Sequence, residues 1–133
     1  HAPTSAQWGY ENRTTAIRIP GGDLASKRIE HRVAGGDTNP YLVMTAILGS
    51  ALLGIEKKLT PIKPAINNAY SNGAENLALN WEDAINYFEN NKEIKQIFSN
   101  DLIENLVRTK RQELNEFKKI ESSKHWKYYV SAI

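Results

Sequence analysis

Polar and apolar positions alternate twice in the first third of the chain, and the pattern then changes to a helical period. Side chains of a strand point to opposite faces in turn. Thr15 to Ile19 has this alternation, with Ile17 and Ile19 on one face and Ala16 and Arg18 on the other. Lys27 to Val33 repeats it, with Arg28, Glu30 and Arg32 projecting together and Ile29, His31 and Val33 turned the other way. Pro20-Gly21-Gly22-Asp23 between them has strong turn chemistry,. The two runs predict an antiparallel pair joined by a loop longer than a tight hairpin. Residues 1–12 read as loop, because Pro3, Thr4, Ser5 and Gly9 break any period.

Helical spacing dominates after residue 38. Asn39 suits an N-cap and Pro40 the first helical position, where a missing N–H costs nothing. Tyr41 to Leu59 is apolar nearly all round, which predicts a largely buried helix stopped by Pro61 and Pro64,. Residues 60–79 read as an irregular loop around Asn67, Asn68, Ser71, Asn72 and Gly73. Asn80 caps a further segment, with Glu82 and Asp83 well placed in its first turn. Leu102, Leu106, Leu114, Phe117 and Ile120 follow helical spacing, and Ile103 and Val107 widen the stripe,. Ser122-Ser123 interrupts it, and a terminal amphipathic segment runs through Trp126, Tyr129 and Ile133. The fold class is therefore α+β: a short antiparallel strand pair followed by mostly helical chain. Residues 1–36 hold the loop and strands, and residues 37–133 are mainly helical.

Composition narrows the functional classes. The 133 residues suffice for one modest domain,. With 17 basic and 15 acidic residues, the net charge of +2 is too balanced to point to nucleic acid or a membrane surface,. The absence of cysteine excludes disulfides, thiolate metal sites and cysteine nucleophiles, and it fits a reducing, cytoplasmic setting,. No apolar run reaches the roughly 20 residues of a membrane span. The N-terminus is polar and has no signal-peptide core. The chain starts at His1, its sole methionine is Met44, and Arg13 and Arg18 come with no scaffold before them. These features suggest the C-terminal piece of a longer protein.

The candidate chemistry lies on and beside the strand pair. Guanidiniums stay charged and grip phosphate or carboxylate oxygens with a planar fork. Arg13, Arg18, Arg28 and Arg32 would suit phosphoryl transfer, where the protein mainly positions and neutralises oxygens. Glu30 among them would repel an anionic substrate unless it held a divalent cation such as magnesium or manganese. The same alternation also describes a solvated face laced with cross-strand ion pairs. His31 is expected as a satisfied core or interface histidine. Trp81, Tyr87, Phe88 and Phe98 are expected in the core, and Arg108, Lys110 and Arg111 on the outer face of a helix.

The order of these pieces carries a resemblance. Asn12-Arg13-Thr14-Thr15-Ala16-Ile17-Arg18-Ile19-Pro20 is followed by Arg28-Ile29-Glu30-His31-Arg32, then Asn39-Pro40-Tyr41-Leu42, then Gly54-Ile55. This series resembles the C-terminal part of the glutamine synthetase catalytic domain. Gly35-Gly36-Asp37-Thr38 looks more like the γ-glutamylpolyamine branch. The resemblance implies ATP-dependent amide formation from L-glutamate and ammonia or a primary amine, through γ-glutamyl phosphate, with magnesium or manganese. It implies that Arg13 lies near the transferring phosphoryl group, touching ATP and glutamate. By the same resemblance Arg18 and Arg28 contact nucleotide phosphates, Arg32 binds glutamate and Glu30 ligates a metal. It also implies a homo-oligomer for the longer parent. The family's other metal ligands would lie upstream, so the 133-residue chain is expected to be inactive by itself. The alternative is a non-catalytic anion-binding or subunit-assembly module. Tyr70 falls near a tyrosine adenylylated in some relatives, but its flanks match poorly and a plain loop tyrosine is expected.

Overall fold

The computed structural model describes residues 2–71 and 73–130. Asn72 and Ile133, named in the patterns above, lie outside the described residues, as does the side chain of Tyr129. The chain divides into two compact units, His1–Thr38 with Lys58–Leu79, and Asn39–Lys57 with Asn80–Ile133.

The first unit holds a three-stranded sheet in the order β1 (Trp8–Tyr10), β2 (Ile17–Ile19), β3 (Glu30–His31). The antiparallel pairing of β2 with β3 sets Ile17 opposite His31 and Arg18 opposite Glu30. β1 is an addition to the expected pair: it runs parallel to β2, with Gly9 beside Arg18. Residues 11–16 make the return, shorter than most parallel connections. Glu11 helps by adopting the left-handed region at φ 51°. Gly9 is needed on the other strand of this pair, because a Cβ there would sit 2.9 Å from the Ala65 carbonyl oxygen. Residues 62–65 pack onto β1: Ala65 N–H donates to the Trp8 carbonyl at 2.8 Å and the Trp8 indole to the Ile62 carbonyl at 2.7 Å.

The interior of this unit is largely polar. Ser5, Gln7 and Thr15 are buried with Ala16 and Ala69. Each buried polar side chain finds a partner, as burial demands. Gln7 Nε2 donates to Ser5 Oγ at 2.8 Å and to the Ala69 carbonyl at 2.9 Å. The Thr15 hydroxyl lies 2.8 Å from the Asn12 carbonyl.

The second unit is helical: α1 (Pro40–Glu56), α2 (Trp81–Asn90), α3 (Ile94–Ile97), α4 (Asn100–Phe117) and α5 (His125–Val130). The caps follow the sequence. Asn39 accepts from the N–H groups of Tyr41 and Leu42 at 3.0 and 3.2 Å, and Asn80 from that of Asp83 at 2.8 Å. Ser99 caps α4 in the same way. Ile85, Phe98, Ile103 and Val107 form the core, with Leu42, Ala46, Trp81 and Phe88 packed on it. Across α2 and α4, Arg111 reaches Glu89 and Lys118 reaches Glu82 at 2.9 Å.

Three expectations change here. α1 has no buried residue: Tyr41, Met44, Leu48, Leu52 and Ile55 share one exposed face. The opposite face, through Leu42 and Ala46, meets the core, and the exposed face has no partner among the described residues. α1 also ends at Glu56, five positions before Pro61, because Lys58 turns left-handed at φ 49°. Tyr87 is 63% exposed rather than core, since it lies on α2 away from Ile85. Among the described residues no helix is long and apolar enough to cross a membrane.

Candidate functional site

Sheet register builds the site. Arg18 and Glu30 are cross-strand partners, so their side chains rise from one face of the sheet,. Arg32, two residues on, rises from the same face. Arg18 Nη1 donates to Glu30 Oε2 at 3.0 Å, and Arg32 Nη1 lies 3.7 Å from Glu30 Oε1. Both oxygens of Glu30 thus face guanidinium groups. The second hand of Arg18 is also held: Nη2 donates to Glu11 Oε2 at 3.0 Å. Glu11 in turn accepts the backbone N–H of Gly21 through Oε1.

The charged face is the better covered one. The Arg18 and Arg32 side chains are 13% and 17% exposed. Ile17, Ile29, His31 and Val33, on the other face, are exposed. His31 is therefore exposed and not a core histidine.

The charges hold one another ionised. The hydrogen bond from Arg18 pulls the Glu30 carboxyl below its ordinary range against a smaller opposing effect of burial, and the charges of Arg32 and Arg13 add to the pull. The Gly21 N–H and then Arg18 do the same for Glu11. Glu30 and Glu11 raise Arg18 in return.

Arg13 stands at the tip of the β1–β2 return, exposed, on a backbone fixed from both sides. Asn12 Nδ2 donates to the carbonyls of Ala65 and Asn67 at 3.3 and 2.6 Å, and its Oδ1 accepts from Thr14 N–H at 3.0 Å. Ala69 N–H donates to the Thr14 hydroxyl at 2.9 Å. A cleft of about 420 Å³ opens here, lined by Arg13 with Tyr10, Asn12, Pro64, Ile66 and Asn67. Arg28 is apart from the others: its guanidinium donates to the Ser26 carbonyl at 3.1 Å, in the turn before β3. Tyr70 is in a short 3₁₀ turn, its hydroxyl donating to the Ala2 carbonyl at 3.0 Å.

Glu11 is absent from the sequence patterns, and Asn12 and Thr14 stand in them only as part of the motif, with no role assigned. Glu11, Asn12 and Thr14 act through bonds to positions 7 to 55 residues away, which no local pattern announces. Glu11 gives Arg18 a second carboxylate partner. A divalent cation needs several oxygen ligands. Among the described residues no group of three or more histidine or acidic side chains could hold one. Glu30 offers a single carboxylate, so the described residues alone do not make a metal site.

The chain is thus an α+β protein whose sheet clamps one carboxylate between guanidiniums, with a further cation at a backbone-anchored turn. The particular family follows from comparison with known proteins: the family described as "Glutamine synthetase, catalytic domain" matches residues 1–129, and the chain belongs to it. It is similar to glutamate–isopropylamine ligase of Pseudomonas sp., 37% identical over 115 residues, covering 84% of this chain and 25% of the relative. It is similar to gamma-glutamylputrescine synthetase PuuA of Escherichia coli K12, 36% identical over 124 residues, covering 90% of this chain and 25% of the relative. A solved structure described as "Apo GmaS without ligand" superposes with a TM-score of 0.77 at 27% identity, covering 97% of this chain and 30% of that one. The chain thus spans about a quarter of the length of these curated relatives. It represents a catalytic-domain fragment of α+β fold in a family of ligases.

Proposed function

We propose that the chain is part of an ATP-dependent ligase joining L-glutamate to ammonia or a primary amine through γ-glutamyl phosphate. The observation that carries this reading is Glu30 held between Arg18 and Arg32 on one sheet face, within the motif order of the family. Names among the relatives include ligases of isopropylamine and putrescine, a gamma-glutamylethanolamide synthetase and several glutamine synthetases, which supports both ammonia and a primary amine as acceptor.

The first step makes a bond between a glutamate γ-carboxylate oxygen and the γ-phosphorus of ATP, and ADP leaves. The second makes a C–N bond from the amine nitrogen to the acyl carbon; phosphate leaves and the nitrogen gives up a proton. In this reading Arg13 neutralises the phosphoryl oxygens in flight. Arg18 and Arg28 hold nucleotide phosphates, and Arg32 takes the glutamate carboxylate. Glu30 contributes one ligand to magnesium or manganese, whose remaining ligands come from outside this chain. The bound cation would supply charge neutralisation at the phosphates. The complete enzyme would work as a homo-oligomer.

The test is ADP release by the full-length polypeptide with ATP, magnesium and glutamate across ammonia, isopropylamine, putrescine and ethanolamine. Release stimulated by ammonia or by one primary amine is expected, and none from the 133-residue chain alone. No release with any acceptor would leave an anion-binding or assembly module as the better account. Arg32→Ala in the full-length protein should raise the KM for glutamate at least about tenfold, with that for ATP little changed. An effect confined to ATP would show the arginine roles to be wrongly divided.

A further inference from the structure

The Arg18 guanidinium is divided between two carboxylates. One hand, Nη1, goes to Glu30 and the other, Nη2, to Glu11, each at 3.0 Å. Glu30 has its own work in the proposed reaction, and whichever of its oxygens takes a cation is drawn away from the guanidinium it now faces. With Oε2 engaged, the hold on Arg18 comes from its other hand. Glu11 is built for that task. It adopts φ 51° in the β1–β2 return, a region uncommon for residues other than glycine,. Its other carboxylate oxygen is tied to the Gly21 backbone N–H, at the turn leaving β2. Both ends of the support are thus anchored to backbone next to the strand that carries Arg18.

We propose that Glu11 is a positioning residue for Arg18. It retains Nη2 while Nη1, released from Glu30, turns to a nucleotide phosphate oxygen. The inference rests on the nucleotide role proposed for Arg18. Holding one edge of the fork leaves the other with its planar geometry aimed and little rotamer freedom to lose on binding. A carboxylate so close to a phosphate would be unfavourable if it faced the ligand. Here its oxygens are directed at Arg18 and Gly21.

The experiment uses the full-length polypeptide with Glu11→Gln, Arg18→Ala and the double variant. Glutamine keeps the length of the side chain and can still accept from Gly21, so the turn is retained. Two readouts are taken: KM for ATP against kcat and KM for glutamate, and ADP binding by calorimetry without added divalent metal. Glu11→Gln should raise KM for ATP and weaken ADP binding by about two- to fivefold, the range of a part-exposed charge pair. The KM for glutamate should stay within about twofold. In the Arg18→Ala background Glu11→Gln should add nothing, because the two act as a unit. If Arg18→Ala weakens ATP while Glu11→Gln does not, the inference fails and the nucleotide role of Arg18 stands. Full additivity in the double variant would also overturn it. If Arg18→Ala leaves both ATP readouts unchanged, the nucleotide role itself falls, and the inference with it.

Discussion

Glu30→Gln in the full-length polypeptide should lower turnover by about a hundredfold or more while leaving the fold in place. The two halves of this expectation have separate physical grounds. Structurally, glutamine matches glutamate in size and its amide oxygen can still accept from Arg18 Nη1. The Glu30 side chain is 38% exposed, so its ion pairs are screened by water and contribute little to stability,. The melting temperature should move by no more than about 3 °C. Chemically the change is large. Arg18 holds the Glu30 carboxyl below its ordinary range, so it is fully charged at neutral pH, and the substitution removes a whole negative charge. The sign of the pH effect follows. The ion pair is complete above the ordinary carboxylate value of about 4.3 and is lost only as pH falls through the lowered one. Assays near pH 7 therefore compare a charged carboxylate with a neutral amide. Without that charge Arg18 and Arg32 face each other across a neutral group, and the proposed cation loses a ligand. Circular dichroism melting and ADP release on the same preparations separate the two halves. Activity retained at ordinary magnesium would remove Glu30 from metal binding.

What the sequence disclosed and what it hid divide along a physical line. Signals that act over a few residues were legible. Asn39 with Pro40, and Asn80 with Asp83, fix their helix starts through bonds spanning two or three positions. The alternation in Arg28 to Val33 put Glu30 and Arg32 on one face, and the register then brought Arg18 to join them. β1 was not legible, because three residues of mixed polarity carry no period and are strand only through pairing with β2. The periodicity after Asn100 named the right helix but weighted the wrong residues. Ile103 and Val107, taken as widening the stripe, are its buried centre, and Leu102 is 37% exposed. In α1 composition misled in the other direction. A helix apolar on every side reads as core, yet burial depends on what is available to cover it. Of the four arginines, Arg18 and Arg32 meet at Glu30, Arg13 reaches it only through its field, and Arg28 is bound to the turn at Ser26.

Arg13→Ala in the full-length polypeptide should reduce kcat by about 10²–10³-fold, the scale of losing one preorganised donor to developing charge, with a much smaller change in KM for ATP. The argument rests on contrast with Arg18. Arg18 is committed on both hands, which in the proposed reaction suits ground-state holding of an anion that replaces Glu30 at Nη1. Among the described residues the Arg13 guanidinium has no hydrogen-bonded partner, yet its backbone is held by Asn12 and Thr14 against residues 65–69. A cation with a fixed base and an uncommitted head needs no bond broken before it meets an oxygen whose charge is growing. An interaction made only in the transition state lowers kcat when removed, and one made equally with bound substrate raises KM. Arg13→Lys should recover part of the rate, since it restores the charge but not the planar fork. Single-turnover measurement of ADP formation would isolate the phosphoryl step from product release. A normal single-turnover rate in Arg13→Ala, with ATP binding weakened instead, would move Arg13 into the same class as Arg18. The transferring phosphoryl group would then have to be neutralised by residues outside this chain.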